Sequence, residues 1–77
     1  MRGELVLARV PGERGKHKGF VHRVERERSQ LVLGFGPALR YQWGQTVDIE
    51  FTFSRTKLRL QHAGCKAAAT CVFRRFG

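Results

Sequence analysis

Between Thr46 and Phe53 the chain alternates without a fault. Thr46, Asp48, Glu50 and Thr52 interleave with Val47, Ile49, Phe51 and Phe53. Side chains of a strand point alternately to its two faces, so this segment is a strand with one wholly apolar face lying on a core. The chain has 77 residues, enough for one small domain whose fold buries only roughly 60 % of the surface its unfolded chain exposes. A sheet in so short a chain must close or cover its edges to avoid self-association.

Three further segments read as strands. Gly3 to Val10 places Leu5 and Leu7 on one face and Val6, Ala8 and Val10 on the other. Gly19 to Glu25 puts Phe20, His22 and Val24 on an apolar face. Gln30 to Phe35 does the same with Leu31, Leu33 and Phe35. Pro11, Gly12 and Gly15 mark a loop, and Arg26 to Ser29 a turn. Pro37 can open a short helical turn through Tyr41, which Gly44 would stop. Thr56 to Leu60 stays open between a strand, which Leu58 and Leu60 fit, and a helix that Ser54 could cap, and Cys71 to Gly77 has no regular period. The expected fold is all-β: a small curled or closed antiparallel β-barrel over residues 1–62 with one short helical turn. A basic tail, 63–77, is expected to be helical or disordered.

Charge narrows the function. Fifteen Lys and Arg face six Asp and Glu, a formal net charge of +9. From Phe51 to Gly77 there is no acid at all, while Arg55, Lys57, Arg59, Lys66, Arg74 and Arg75 are present. Such an excess on one small domain is the electrostatic footprint of a polyanion binder. In a strand, Arg55, Lys57 and Arg59 form one row suited to successive phosphates. The loop cations Lys16 and Lys18 extend the basic set. The opposing interpretation of the row is a solvated edge that repels other sheets.

Enzyme signatures are lacking. Gly12-Glu13-Arg14-Gly15-Lys16 looks like a phosphate loop, but two residues rather than four separate its glycines and His17 follows the lysine. His62, Cys65 and Cys71 supply three soft ligands where a structural zinc site takes four, so they read as a histidine and two ordinary thiols in a loose tail. His22 reads as a core or rim histidine, and Trp43 and Tyr41 as packing residues that would stack on bases only if exposed. No catalytic residue, metal or cofactor is expected. The longest apolar stretches fall far short of a membrane span. The start is too short for a signal-peptide core. The expectation is a cytoplasmic protein without membrane contact.

Two segments in series carry a resemblance. Lys18-Gly19-Phe20-Val21-His22-Arg23-Val24-Glu25 is followed by Val47-Asp48-Ile49-Glu50-Phe51-Thr52-Phe53-Ser54-Arg55, and then by Leu58-Arg59-Leu60-Gln61-His62. This order resembles the accessory β-barrel of the Armitage / Moloney-leukaemia-virus-ten type of RNA helicase, of superfamily 1 and related to the nonsense-mediated-decay helicase. It covers residues 3–64. Ser54 stands where the family pattern has Asn, residues 63–77 match nothing in it, and the ATPase core is not in this sequence.

The resemblance implies a segment of an ATP-dependent RNA helicase that acts with Argonaute-type silencing machinery. On that basis the barrel leans over the RNA channel, and its partners are RNA and the motor lobes. Arg55, Lys57 and Arg59 become the RNA- or lobe-facing cations, Lys16 and Lys18 join them as RNA-binding candidates on their charge, and the barrel itself hydrolyses nothing. Two other readings remain open. One is a ribosomal-RNA-binding SH3-like barrel, since Lys16-x-Lys18-Gly19-Phe20-Val21 resembles the basic turn of KOW-type domains. The other is a protein-interaction module without RNA affinity.

Overall fold

The computed structural model describes residues 3–36, 41–67 and 70–76. Its strands are β1 (Leu5–Arg9), β2 (His17–Glu25), β3 (Gln30–Phe35), β4 (Thr46–Phe51), β5 (Lys57–Ala67) and β6 (Thr70–Arg74). They form a closed barrel in the order β1-β2-β3-β6-β5-β4, every neighbouring pair antiparallel. Closure through the β1–β4 pair removes the free edges that a small open sheet would expose. The helical turn expected from Pro37 falls on residues 37–40, outside the described residues. No helix of the described residues is long and apolar enough to cross a membrane.

The interior follows the alternation. Val6 and Ala8 of β1, Leu31, Leu33 and Phe35 of β3, and Val47, Ile49 and Phe51 of β4 all enter the core. Val21, Leu60, Cys71 and Phe73 complete it, with Val10 and Tyr41 packed against its rim. Tyr41 lies 5.6 Å from the rings of both His62 and Phe73 and 5.7 Å from Phe35. Its hydroxyl has no hydrogen-bond partner among the described residues. Burial, with the Glu13 charge adding to it, pushes its pKa up to about 12.

The pairing of β2 with β3 rests on a reciprocal exchange. Gly19 stands opposite Phe35, and Phe20 opposite Gly34. A Cβ on Gly19 would come within 2.7 Å of both the Phe35 ring and the Gly34 carbonyl oxygen. A Cβ on Gly34 would lie 2.5 Å from the tip of Phe20. Each glycine therefore makes room for the ring opposite, one inside the barrel and one outside.

Three expectations change. First, His22 is exposed rather than on an apolar core face. The inward positions fall on Gly19 and Val21, so Phe20 and His22 point out, and a β-bulge then shifts the register by one residue between Val21 and Arg23. Val21 is buried, Phe20 lies outside, and the buried histidine is His62, 4 % exposed. Second, Phe53 is 92 % exposed. The chain turns after Phe51, whose N–H donates to Thr56 O at 2.8 Å, while the Arg55 N–H donates back to Phe51 O at 2.7 Å. Third, residues 63–77 do not leave the barrel as a tail. β5 continues to Ala67, and β6 fills the gap between β3 and β5. Cys71, Val72 and Phe73 are consecutively buried, so both faces of β6 are covered and no alternation marks it.

The Gly19 contact is with backbone and a core ring, whereas the Gly34 contact is with the tip of a half-exposed side chain. Gly19→Ala should therefore cost about 1–3 kcal/mol, as overpacking does, and Gly34→Ala less. Denaturant unfolding of the two variants measures the difference.

Candidate nucleic-acid interface

The alternation that fills the core also fixes the outer face. On β1, Leu7 pairs with Lys18 of β2 on one side and Glu50 of β4 on the other; Glu50 in turn faces Lys57 of β5. One step along, Arg9 faces Asp48, and Asp48 faces Arg59. Lys16 reaches the same surface, 3.9 Å from Glu50. The sheet thus gathers Lys16, Lys18, Lys57 and Arg59 on one face. Arg55 sits beyond it, in the β4–β5 turn, at a left-handed φ of 61°.

This face also holds acids. The 51–77 segment has none of its own, but β4 lays Asp48 and Glu50 beside it. Asp48 accepts two hydrogen bonds from Arg59, at 2.7 and 3.2 Å, and lies 3.8 Å from Arg9. The Arg59 hydrogen bond holds the Asp48 carboxyl below the ordinary carboxylate value, against partial desolvation, and the charges of Arg59 and Arg9 reinforce it. The same pair raises the Arg59 guanidinium still further. Arg59 and Lys16 are thus partly occupied within the protein, while Lys18, Arg55 and Lys57 have no carboxylate partner among the described residues.

A second cationic surface lies where β6 meets the β2–β3 turn. Arg28, Ser29, Gln61, Arg74, Arg75 and Phe76 line a shallow depression with no acidic residue in it. Gln30 of β3 and Gln61 of β5 flank Arg74 in register. The Arg74 guanidinium also lies over the Trp43 ring, 5.6 Å from its centroid. Trp43 is 70 % exposed and is not a packing residue of the core.

The loop that carries Trp43 is fastened to β5. The Gly44 N–H donates to His62 O at 2.8 Å, and the His62 N–H donates to Gln45 O at 2.9 Å. A Cβ on Gly64 would meet the indole at 3.7 Å, so the ring covers a bare stretch of backbone. An exposed indole on a hydrogen-bonded loop, with guanidinium groups beside it, suits base stacking next to phosphate contact.

Sequence reasoning named none of Arg28, Arg74, Arg75 or Phe76 as site residues. The signal for Arg74 and Arg75 was the acid-free run after Phe51; what was missing was the β6 pairing that carries them to Arg28.

Over 75 residues the chain is 37 % identical to a protein of Gallus gallus named as a helicase, MOV-10, covering 88 % of this chain and 8 % of that one. Over 49 residues it is 47 % identical to the Danio rerio protein named as helicase mov-10-B.1, covering 61 % of this chain and 5 % of that one. The chain matches a segment of MOV-10-type helicases. It spans less than a tenth of these curated relatives' length. No family model and no solved structure matches it. The chain itself is a closed six-stranded barrel whose described residues form two cationic surfaces, one interleaved with acids and one free of them.

The Asp48 geometry has a pH consequence. Its folded pKa is depressed, so its contribution to stability is fully present above the unfolded value near 3.8 and is lost as pH falls below it. Asp48→Asn should flatten the acid limb of the thermal midpoint against pH. An unchanged acid limb would show that the Arg59 pair is not formed in solution.

Proposed function

We propose that this chain is an RNA-binding accessory β-barrel of a silencing-type ATP-dependent RNA helicase, contacting RNA phosphates and bracing the motor lobes. The observation that carries the reading is the acid-free depression of Arg28, Arg74 and Arg75 beside the exposed Trp43 and Phe76. Guanidinium groups without a carboxylate partner among the described residues are available to phosphates, and neutralising phosphates releases counterions and makes binding salt-dependent. An aromatic platform adds stacking that is tolerant of sequence. Binding on this account is electrostatic, single-strand directed and weakly specific.

Arg55, Lys57 and Lys18 belong to the proposal as a second phosphate-contacting strip, with Arg59 and Lys16 contributing less because Asp48 and Glu50 hold them. Bracing draws on apolar side chains left outside the barrel. Leu5 and Phe20 stand opposite each other on β1 and β2, 62 % and 43 % exposed. ATP hydrolysis belongs to the motor lobes, not to this barrel. Contact with Argonaute-type machinery and a cytoplasmic location are parts of the same proposal, and both derive from the family resemblance.

The test is fluorescence anisotropy of the folded chain with a labelled single-stranded RNA over a range of salt. Three to five phosphate contacts give a log-log slope of about −2 to −3.5. Replacing Arg74 and Arg75 together by Ala should reduce the slope by about 1.4, the share of two contacts. Trp43→Ala should weaken binding by the ~1–3 kcal/mol of a lost stacking platform. Replacing Arg55 and Lys57 should weaken it less. A folded chain without saturable RNA binding, or one indifferent to the loss of Arg74 and Arg75, contradicts the RNA reading.

A further inference from the structure

The register of β5 and β6 sets Cys65 directly opposite Cys71, and the two form a disulfide with their Cα atoms 4.0 Å apart. Beside them is the buried His62. Its Nδ1 lies 3.0 Å from Gln42 O, and its Nε2 lies 3.4 Å from Cys65 Sγ. A carbonyl oxygen only accepts, so Nδ1 carries the proton and Nε2 turns its lone pair toward the sulfur. The backbone carbonyl thereby fixes the tautomer and ring orientation that a metal-binding histidine needs. The three ligand atoms all lie within 4.8 Å of one another.

We propose that, once the disulfide is reduced, Cys65 Sγ, Cys71 Sγ and His62 Nε2 bind one Zn2+. Zinc bonds of ~2.3 Å to sulfur and ~2.0 Å to nitrogen, arranged tetrahedrally, separate neighbouring ligand atoms by about 3.5–3.8 Å. The Nε2–Sγ distance already fits that edge. Two thiolates neutralise the cation, so binding adds no charge to a chain that already carries +9. Cys71 is buried and Cys65 exposed, which leaves the fourth position on the solvent side for water.

The two states exclude each other. A dithiol reductant delivers two electrons and two protons to the S–S bond and leaves as its own disulfide. Zn2+ then displaces both thiol protons, while the Nδ1 proton stays on His62 and is donated to Gln42 O. A small-molecule disulfide reverses this: it takes two electrons from the two thiolates, leaves with two protons as its own thiols, and Zn2+ is released as the Cys65–Cys71 bond re-forms.

The test takes the 77-residue chain, reduced anaerobically with a water-soluble phosphine, and titrates it with Co2+ and then Zn2+. The expected result is one metal per chain by native mass spectrometry, with a thiolate-to-cobalt charge-transfer band that Zn2+ abolishes. The oxidised chain should take up none. Loss of a partner behind a ligand already costs 10–100-fold in affinity, so Cys65→Ser, which removes an exposed ligand, should cost about 100-fold or more. Circular dichroism follows folding throughout. If the reduced chain loses its β-structure and Zn2+ restores it, the site is confirmed by coupled folding. A reduced chain that takes up no stoichiometric metal, folded or unfolded, overturns the proposal, as does a folded Cys65→Ser variant that binds Zn2+ like the parent.

Discussion

Strand β6 is bonded on both sides, to β3 and to β5, and the rest of the structure depends on that double pairing. Without it the barrel would be an open sheet with two free edges and a core lacking Cys71 and Phe73. Phe73 is fully buried, touches the rings of Phe35, Tyr41 and His62, and faces His62 in register. A domain of this size has few such residues to lose. The same pairing carries Arg74 and Arg75 to Arg28, and Cys71 to Cys65.

The two cationic surfaces differ because of where the acids fall. Asp48 and Glu50 occupy the outward positions of the strand whose inward positions are Val47, Ile49 and Phe51. Arg9 of β1, Arg59 of β5 and the neighbouring Lys16 therefore meet a carboxylate. Such exposed pairs add little stability, but they hold the guanidinium and ammonium groups that a phosphate would need. In the β2–β3 turn and at the end of β6, Arg28, Arg74 and Arg75 have no carboxylate partner among the described residues and stay open to solvent. Counting charge along the sequence cannot separate these cases, because the pairing is between strands.

Where one face is apolar and the other polar, the fold was legible. In β4, Val47, Ile49 and Phe51 enter the core together while Thr46, Asp48 and Glu50 stay outside it. The reading failed where geometry breaks the period. In β2 the inward positions fall on Gly19 and Val21, so Phe20 and His22 point out, and a bulge then shifts the register. At Phe53 the chain has already turned, through a left-handed Arg55 that sequence alone would not nominate. In β6, burial on both faces erased the alternation, and the segment passed for a tail. The basic character of the site was legible from the acid-free run, and Lys57 and Arg59 do share a face. The acids opposite them, the exposure of Trp43 and the approach of Cys65 to Cys71 all arise from contacts between strands.

Amide hydrogen exchange of the free chain, resolved by residue, tests the closure most directly. Backbone hydrogen bonds to both neighbours predict that the Cys71, Val72 and Phe73 amides exchange as slowly as those of Leu31 and Leu33 across the ladder. Rapid exchange at 70–74 alongside protected β1 to β4 would contradict the account. The barrel would then be open at β6, and neither the arginine depression nor the paired cysteines would exist as described.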